Sequence, residues 1–274
     1  MNLDKGVLIL DYGSQYTLLI ARRIRELGVY SEVWPCNDAR LAGLIEAGER
    51  PARGIILSGG PASVAVEGSP RLDGGLLDLG APVLGICYGM QAMAHALGAE
   101  ISPALTREYG RTQVLVERAE GLFEGFTPGT HTQVWMSHGD SVSQLPEGFT
   151  RLATTDNGVL AAIAHLDRDL YGVQFHPEVA HTLDGADMLS SFLFNTCGCG
   201  DDWRLEDFLE ESIEAIRAQV GEDERVICGL SGGVDSSVVA AMLHRALGER
   251  LTCVFVDNGL LRERERSRVK QIFE

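Results

Sequence analysis

Aromatic residues are scarce in this sequence, and basic residues are outnumbered by acidic ones. Only 7% of the 274 residues are Phe, Trp or Tyr, whereas 45% are hydrophobic, a balance typical of a soluble globular protein. The formal net charge is −16, because 39 Asp and Glu outnumber 23 Lys and Arg. Binding of nucleic acid without regard to its sequence needs Lys and Arg for phosphate contacts, so this charge argues against that function.

Long hydrophobic runs are also missing, and so is a cysteine pattern typical of a disulfide framework. No segment offers about 18 uninterrupted apolar residues, so the sequence predicts no membrane span. The N-terminus lacks a basic region, a long apolar core and a small-residue cleavage site, and we expect no secretory signal. The six cysteines are widely scattered, which indicates the thiols of a cytoplasmic protein and not a disulfide framework.

The sequence does contain an alternation of short apolar runs and helical stretches. Runs that end at Asp11, Leu57 and Cys87 are separated by segments with apolar residues at helical spacing. This alternation predicts an α/β fold with an open, mostly parallel, doubly wound sheet. The stretch 113–165 is richer in strand-forming residues and has hairpin-like turns such as Asp156-Asn157-Gly158.

A second α/β unit is predicted after the segment 196–203, which is the best linker candidate. A helix, a strand, a glycine-rich turn and a second helix follow it. We therefore expect two domains, residues 1–199 and residues 200–274, the second being Rossmann-like. The chain stops at Glu274 in a charged helical stretch, so we expect the second domain to be truncated.

A candidate nucleophile occurs in Gly85-Ile86-Cys87-Tyr88-Gly89, where an apolar strand meets a helix. A nucleophile on such a sharp turn has strained backbone, and side chains at the two glycine positions would collide with the sheet and the helix. The N-terminus of the following helix favours a negatively charged thiolate. The alternative is a core cysteine, since free Cys is among the most buried residue types.

A candidate base lies at another strand end, in Gln174-Phe175-His176-Pro177-Glu178. His176 and Glu178 are two positions apart, so in extended chain both side chains leave on the same face. Glu178 can then orient the imidazole while His176 accepts the thiol proton, as in a catalytic triad. The alternative is a structural histidine at a strand end.

The turn Ser58-Gly59-Gly60-Pro61 is a candidate oxyanion hole at the end of a third strand. Consecutive glycines let backbone N–H groups point at a substrate oxygen. The second donor is expected to be the N–H of Tyr88, directly after the nucleophile. Taken alone, the turn is also compatible with an ordinary loop.

Together these residues resemble the class I glutamine amidotransferases, over about residues 6 to 195. The resemblance implies that Cys87 attacks the side-chain amide of glutamine, with His176 as base and Glu178 as its orienting partner. The positions that match the oxyanion and glutamine-contacting residues of that family are Gly59, Gly60, Tyr88, Gln91, Ser137 and His138. A hydrogen-bonded structural role is an equal alternative for His138. Residues 11–15 also fit the family, without a role that chemistry assigns.

The glycine-rich turn Ser231-Gly232-Gly233-Val234-Asp235-Ser236-Ser237 joins a strand to a helix. Small residues let backbone amides approach phosphate oxygens, and the helix dipole favours negative charge there. The spacing and the lysine of a Walker A loop are missing. The turn instead resembles the PP-loop of ATP pyrophosphatases, which implies ATP binding by residues 231–237 and a magnesium-linked carboxylate at Asp235. Val256-Asp257-Asn258-Gly259 follows the next strand and is a candidate adenine contact.

A region similar to glutamine amidotransferases is followed here by a region similar to PP-loop domains. In this order the chain resembles the family of glutamine-hydrolysing synthases that aminate XMP to GMP. Segments 135–140, 231–237 and 255–261 carry this resemblance. In that family ATP adenylylates the C2 oxygen of XMP, and ammonia from glutamine displaces AMP. The resemblance implies glutamine, ATP and XMP as partners, Mg²⁺ as a cofactor, and a homodimer formed through a domain beyond Glu274. The chain itself is expected to hydrolyse glutamine without making GMP.

Three alternatives remain open. An amidotransferase with another acceptor, such as the glutaminase of anthranilate, carbamoyl phosphate or CTP synthesis, shares the triad but not the PP-loop. A non-catalytic glutamine sensor on this fold would not need the intact residues Cys87, His176 and Glu178. A cysteine hydrolase acting on peptides would leave the segment 231–237 unexplained.

Overall fold

The computed structural model describes residues 3–257, 259, 266, 267, 269 and 271, with the backbone alone for residues 104–107. The chain divides into two compact units, Met1–Trp203 and Arg204–Glu274. Asn258, Leu260 and Leu261 of the segment 255–261 lie outside the described residues, and so does Glu274. In the described part of the chain, each helix is too short or too polar to cross a bilayer.

A nine-stranded sheet forms the centre of the described part of the first unit. Its strands in chain order are β1 (Val7–Asp11), β2 (Ser31–Pro35), β3 (Gly54–Leu57), β4 (Val83–Ile86), β5 (Ile101–Val116), β6 (His131–Val142), β7 (Thr150–Thr155), β8 (Leu160–His165) and β9 (Leu170–Val173). Their order across the sheet is β2-β1-β3-β4-β9-β8-β7-β5-β6. The strands from β2 to β9 pair in parallel, and those from β9 to β6 pair antiparallel. The predicted open α/β fold is confirmed.

The helices of the first unit are α1 (Thr17–Glu26), α2 (Ala39–Ala47), α3 (Tyr88–Ala96) and α4 (Gly185–Ser190). Helix α1 is amphipathic: Ile20 and Ile24 are buried, whereas Arg22 lies on the exposed face. The sequence analysis named no element in the region of α2. Only Leu41 of that helix is buried, so its apolar pattern is weak.

The last helix of the first unit is short and is followed by a wider helical turn. Helix α4 ends at Ser190, and a π-helical turn, Ser191–Thr196, continues the chain. The N–H of Cys197 closes this turn on the carbonyl oxygen of Phe192 at 2.9 Å. The Phe192 ring within this turn is fully buried.

The parallel half of the sheet is buried on both faces, because alternate residues of its strands enter different clusters. In β1, Val7 and Ile9 join one hydrophobic cluster, while Leu8 and Leu10 join the other. The carboxyl ends of parallel strands meet at the same edge of a sheet. This edge therefore brings together the segments that follow β1, β3, β4 and β9.

The second unit contains α5 (Leu205–Gln219), β10 (Val226–Leu230), α6 (Val234–Leu247) and β11 (Leu251–Phe255). The strands β10 and β11 pair in parallel, with α6 as their connection. This strand–helix–strand order agrees with the pattern predicted for the second domain.

Candidate active site

Cys87 lies between β4 and α3, at the carboxyl edge of the sheet. Its backbone has φ 51° and ψ −104°, a conformation that side-chain-bearing residues rarely adopt. The N–H of Cys87 donates to the carbonyl oxygen of Val173 at 2.7 Å, which ties the strained residue to β9. The thiol is buried at the bottom of a cleft of about 500 Å³.

The two glycines that flank Cys87 are required by close packing. A Cβ on Gly85 would lie 2.6 Å from the backbone nitrogen of Met90. A Cβ on Gly89 would overlap with the carbonyl oxygen of Leu57 in β3. Both neighbours are backbone atoms, so no side-chain rotation relieves the collision. The sharp turn at Cys87 therefore depends on glycine at both positions.

His176 and Glu178 follow β9 at the same edge. The Nδ1 of His176 lies 2.8 Å from Oε1 of Glu178, and both side chains are buried. An ionised carboxylate only accepts, so Nδ1 carries a proton and Nε2 is left for the hydrogen bond with the Cys87 side chain. The Tyr16 ring packs edge-on against the imidazole, with ring centroids 5.1 Å apart.

The proton affinity of His176 is set by two opposing effects. Burial lowers the pKa of His176, because the imidazolium loses its hydration. Hydrogen bonds with Cys87 and Glu178 outweigh that effect, and the pKa of His176 is raised to about 10. At neutral pH the ring therefore keeps its second proton. An imidazolium favours a thiolate beside it and can later protonate a leaving amine.

The glycine turn after β3 approaches the same point. A Cβ on Gly59 would lie 3.1 Å from Cε1 of His176 and 3.8 Å from Cβ of Cys87. A Cβ on Gly60 would lie 2.7 Å from the carbonyl oxygen of Tyr12. Tyr88 is the first residue of α3, so its N–H has no acceptor within the helix. The turn and the start of α3 thus place backbone close to the thiol.

The predicted residues meet in the cleft although they are distant in sequence. Those that line it are Gly60, Cys87, Tyr88, Gln91, Ser137, His138 and His176. Gly59 is next to the lining residue Gly60 and lies against the imidazole of His176. Glu178 contacts His176 from the buried side.

Residues 13–16 form one wall of the cleft, a role that was not predicted from the sequence. The carboxylate of Asp11 shapes this loop by accepting from the N–H of Gly13 at 2.9 Å and from Oγ1 of Thr17 at 2.7 Å. The match of residues 11–15 to a known family was the only signal for it. The contact between Tyr16 and His176 becomes visible only in the folded chain.

Gln91 and His138 both contact the carbonyl oxygen of Asp140. The Nε2 of Gln91 donates to it at 2.8 Å, and Nδ1 of His138 lies 3.0 Å from it. Nε2 of His138 lies 3.4 Å from Oε2 of Glu108, with both side chains buried. His138 therefore lines the cleft and is also held by protein groups.

The glycine-rich loop of the second unit has the form of a phosphate cradle. Gly232 has φ 81°, and the N–H of Ser231 donates to Oγ of Ser236 at 3.2 Å. The loop is largely exposed, and α6 begins at Val234, so the first N–H groups of this helix have no intrahelical acceptor. These features fit bound phosphate groups.

Asp235 is the carboxylate of this loop, in the first turn of α6. Among the described residues, no three His, Cys, Asp or Glu side chains are grouped as they would be to hold a metal ion. Magnesium is commonly bound by one or two carboxylates together with substrate phosphates and water. Asp235 therefore fits Mg²⁺ in company with a nucleotide, and not as a site made of protein alone.

A buried thiol, imidazole and carboxylate at the edge of an open α/β sheet are the parts of a cysteine-dependent amide hydrolase. Residues 8–196 match the model of the family described as glutamine amidotransferase class-I. The chain belongs to the class-I glutamine amidotransferase family. Residues 206–272 match a second family model, described as asparagine synthase.

Curated relatives share both parts of the chain. Proteins named GMP synthase [glutamine-hydrolyzing] from Oleidesulfovibrio alaskensis and Wolinella succinogenes are 51% and 52% identical to it over 265 and 273 residues. These matches cover 97% and 98% of this chain and 51% of each relative. The chain thus spans about half the length of the curated relatives it matches.

A protein from Thermoplasma acidophilum, provisionally described as one subunit of GMP synthase, is 34% identical, with a TM-score of 0.62, over 70% of this chain and 94% of that one. A glutamine amidotransferase from Thermotoga maritima has a TM-score of 0.52 over 90% of this chain and 99% of its own. Its identity is 20%, so that likeness concerns the fold alone.

Proposed function

We propose that residues 1–199 hydrolyse glutamine, and that a protein of the relatives' full length uses the ammonia to aminate XMP to GMP. The observation that carries the proposal is the convergence of Cys87, His176 and Glu178 beside one cleft. The names of the curated relatives support GMP as the product. XMP as the acceptor is what the family resemblance implies.

In the proposed reaction the Cys87 thiolate attacks the side-chain amide carbon of glutamine. The negative charge that develops on the amide oxygen is stabilised by the N–H groups of Gly60 and Tyr88. The C–N bond then breaks, and the His176 imidazolium gives its proton to the departing ammonia. His176, oriented by Glu178, next removes a proton from water, which hydrolyses the thioester and releases glutamate.

In the second domain, proposed over residues 200–274, the loop 231–237 holds the phosphates of ATP through its backbone N–H groups. Asp235 would hold Mg²⁺, which neutralises phosphate charge when bound. XMP is then adenylylated, and ammonia displaces AMP. Ammonia passes between the two sites, and glutaminase turnover stays low until the second site binds its substrates. We further place the protein in the cytoplasm as a homodimer.

The glutaminase proposal is tested by covalent labelling. A glutamine-analogue electrophile should modify Cys87 stoichiometrically, and Cys87→Ala should abolish the labelling along with glutamate release. Cys36→Ala removes a partly buried thiol away from the cleft and serves as the matched control. Labelling that persists in Cys87→Ala would reject the proposal. Glutamine binding without labelling or turnover would instead support a sensor.

The identity of the acceptor is tested with a protein of the relatives' full length. Exchange of pyrophosphate into ATP should depend on XMP, because adenylylation of XMP releases pyrophosphate. Exchange that ignores XMP would favour a synthase with another acceptor.

A further inference from the structure

The sulfur of Cys87 has two polar neighbours besides His176. It lies 3.6 Å from the carbonyl oxygen of Ser137 and 3.6 Å from Nε2 of Gln174. A carbonyl oxygen only accepts, so it suits the S–H form of the side chain. An amide N–H only donates, so it suits the thiolate. The sulfur therefore has a partner for each of its two protonation states.

The direction of the Gln174 amide is fixed by its neighbours. Gln174 is fully buried, and its Oε1 accepts from Nε2 of Gln91 at 3.2 Å. The same nitrogen of Gln91 donates to the carbonyl oxygen of Asp140 at 2.8 Å. If the Gln91 amide were reversed, two oxygens would face each other at Asp140. Gln174 consequently turns its oxygen to Gln91 and its N–H to the sulfur.

The carbonyl of Asp140 is held in place from the other side. Nδ1 of His138 lies 3.0 Å from it and must donate, because a carbonyl oxygen cannot. Nε2 of His138 faces Oε2 of Glu108 at 3.4 Å, and Oε1 of Glu108 accepts from Nδ2 of Asn157 at 3.1 Å. Hydrogen bonds therefore run from His138 through the Asp140 carbonyl and the two glutamine amides to the buried thiol, while Glu108 lies close to Nε2 of His138 without a hydrogen bond to it.

We propose that Gln174 is a further catalytic residue, whose side-chain amide donates a hydrogen bond to the Cys87 thiolate. Gln91 and the carbonyl of Asp140 set the direction of this donor, and His138 and Glu108 are positioning residues behind them. The inference rests on the proposed glutaminase for the reaction that the thiolate performs. Cys87 is buried, so its thiolate has lost most of its hydration, and a hydrogen-bond donor to it stabilises the charge more strongly than it would in water.

The test substitutes Gln174→Met in the whole chain, which keeps the length of the side chain and removes its N–H groups. Alkylation of Cys87 by iodoacetamide is followed against pH, by mass spectrometry of the peptide that carries Cys87. The midpoint of the profile should move up by about one pH unit, since a hydrogen bond to a charged group is worth about a factor of ten or more. For glutamine, kcat should fall about tenfold while KM changes less than about twofold.

Two further variants keep the test decisive. Gln113→Met makes the same change at an exposed residue of β5 and should leave the profile unchanged. Gln91→Met leaves the donor in place but removes the group that directs it, and should shift the midpoint upward by a smaller amount. If thermal unfolding shows that Gln174→Met does not fold, Gln91→Met still tests whether the Gln174 amide donates to the Cys87 sulfur.

The role of Gln174 and the glutaminase activity can be refuted independently, because alkylation of Cys87 needs no glutamine. An unchanged midpoint in folded Gln174→Met or Gln91→Met overturns the role of Gln174, even where the wild type hydrolyses glutamine. A shifted midpoint in a wild-type background that neither hydrolyses glutamine nor is labelled at Cys87 by the glutamine-analogue electrophile keeps the sulfur contact and rejects the glutaminase.

Discussion

Single residues of the site are held in conformations that they would not adopt alone. The backbone of Cys87, with φ 51°, costs of the order of 1–3 kcal/mol, and its N–H bond to Val173 helps to retain it. His176 is buried with a raised proton affinity because Cys87 and Glu178 both contact its ring. Each of these residues thus depends on a partner from another part of the chain.

The titration of His176 is a direct prediction of this geometry. Its imidazole should titrate near pH 10 in the wild type, when followed by NMR of the ring nitrogens. In Cys87→Ala one hydrogen-bonding partner is lost while burial remains, so the pKa of His176 should fall. Cys36→Ala should leave the titration where it is. A wild-type midpoint at the ordinary value of 6.5 would contradict the described arrangement.

The raised pKa of His176 also predicts how the stability of the folded chain depends on pH. The folded chain binds the His176 proton more tightly than the unfolded chain does, since the pKa of His176 is raised on folding. The resulting stabilisation is complete below about pH 6.5 and is lost as the pH rises towards about 10. In urea titrations, the stability difference between wild type and His176→Gln should therefore shrink across this range. A difference that grows with pH would show the opposite linkage.

Sequence spacing was sufficient for some residues of the site and not for others. The Cys87 elbow and the pair His176 and Glu178 follow from local rules, because strand ends and two-residue spacing fix where such side chains point. Gln174 belongs to the same motif as His176 and Glu178, but the direction of its side-chain amide depends on Gln91 and on the carbonyl group of Asp140 in β6. Such contacts between distant segments carry no local signal.

At the scale of elements, the alternation of strands and helices led to the correct sheet because the central parallel strands β1, β3 and β4 are short apolar runs. Helix α2 was not anticipated, since it buries little and contains Gly43 in its interior. The π-helical turn Ser191–Thr196 was not anticipated either. A π-helical turn is rare, and the buried Phe192 within it depends on packing that local propensity does not encode.

Two glycine substitutions test the packing described for the Cys87 elbow. Gly89 lies in α3, which follows Cys87, and Gly43 lies in α2, which is not part of the elbow. Gly89→Ala places a methyl group against the carbonyl oxygen of Leu57, so it should destabilise the chain by about 1–3 kcal/mol and displace Cys87. Gly43→Ala lies within α2 with open space around it, and should stabilise by about 0.5–1 kcal/mol. Urea denaturation and the alkylation rate of Cys87 measure both effects. Equal stability of the two variants would contradict the packing described for the elbow.

At the scale of the whole molecule, the two units differ in how much apolar surface they bury. In the first unit, β3 and β4 are buried along their entire length. In the second unit, Ile227 of β10 is 75% exposed, and Val254 of β11 is 42% exposed. A two-stranded sheet with such exposure is stabilised by few contacts.

This difference predicts unequal local stability within one chain. Amide hydrogen exchange at neutral pH should be slowest in β3 and β4, because opening them exposes apolar residues on both faces of the sheet. Exchange in β10 and β11 should be faster, since little apolar surface is exposed when they open. Peptides from each strand can be compared by mass spectrometry in a single sample, so solvent and temperature are identical for both units. Equal protection of the four strands would mean that the second unit is stabilised by contacts other than those of its own described residues.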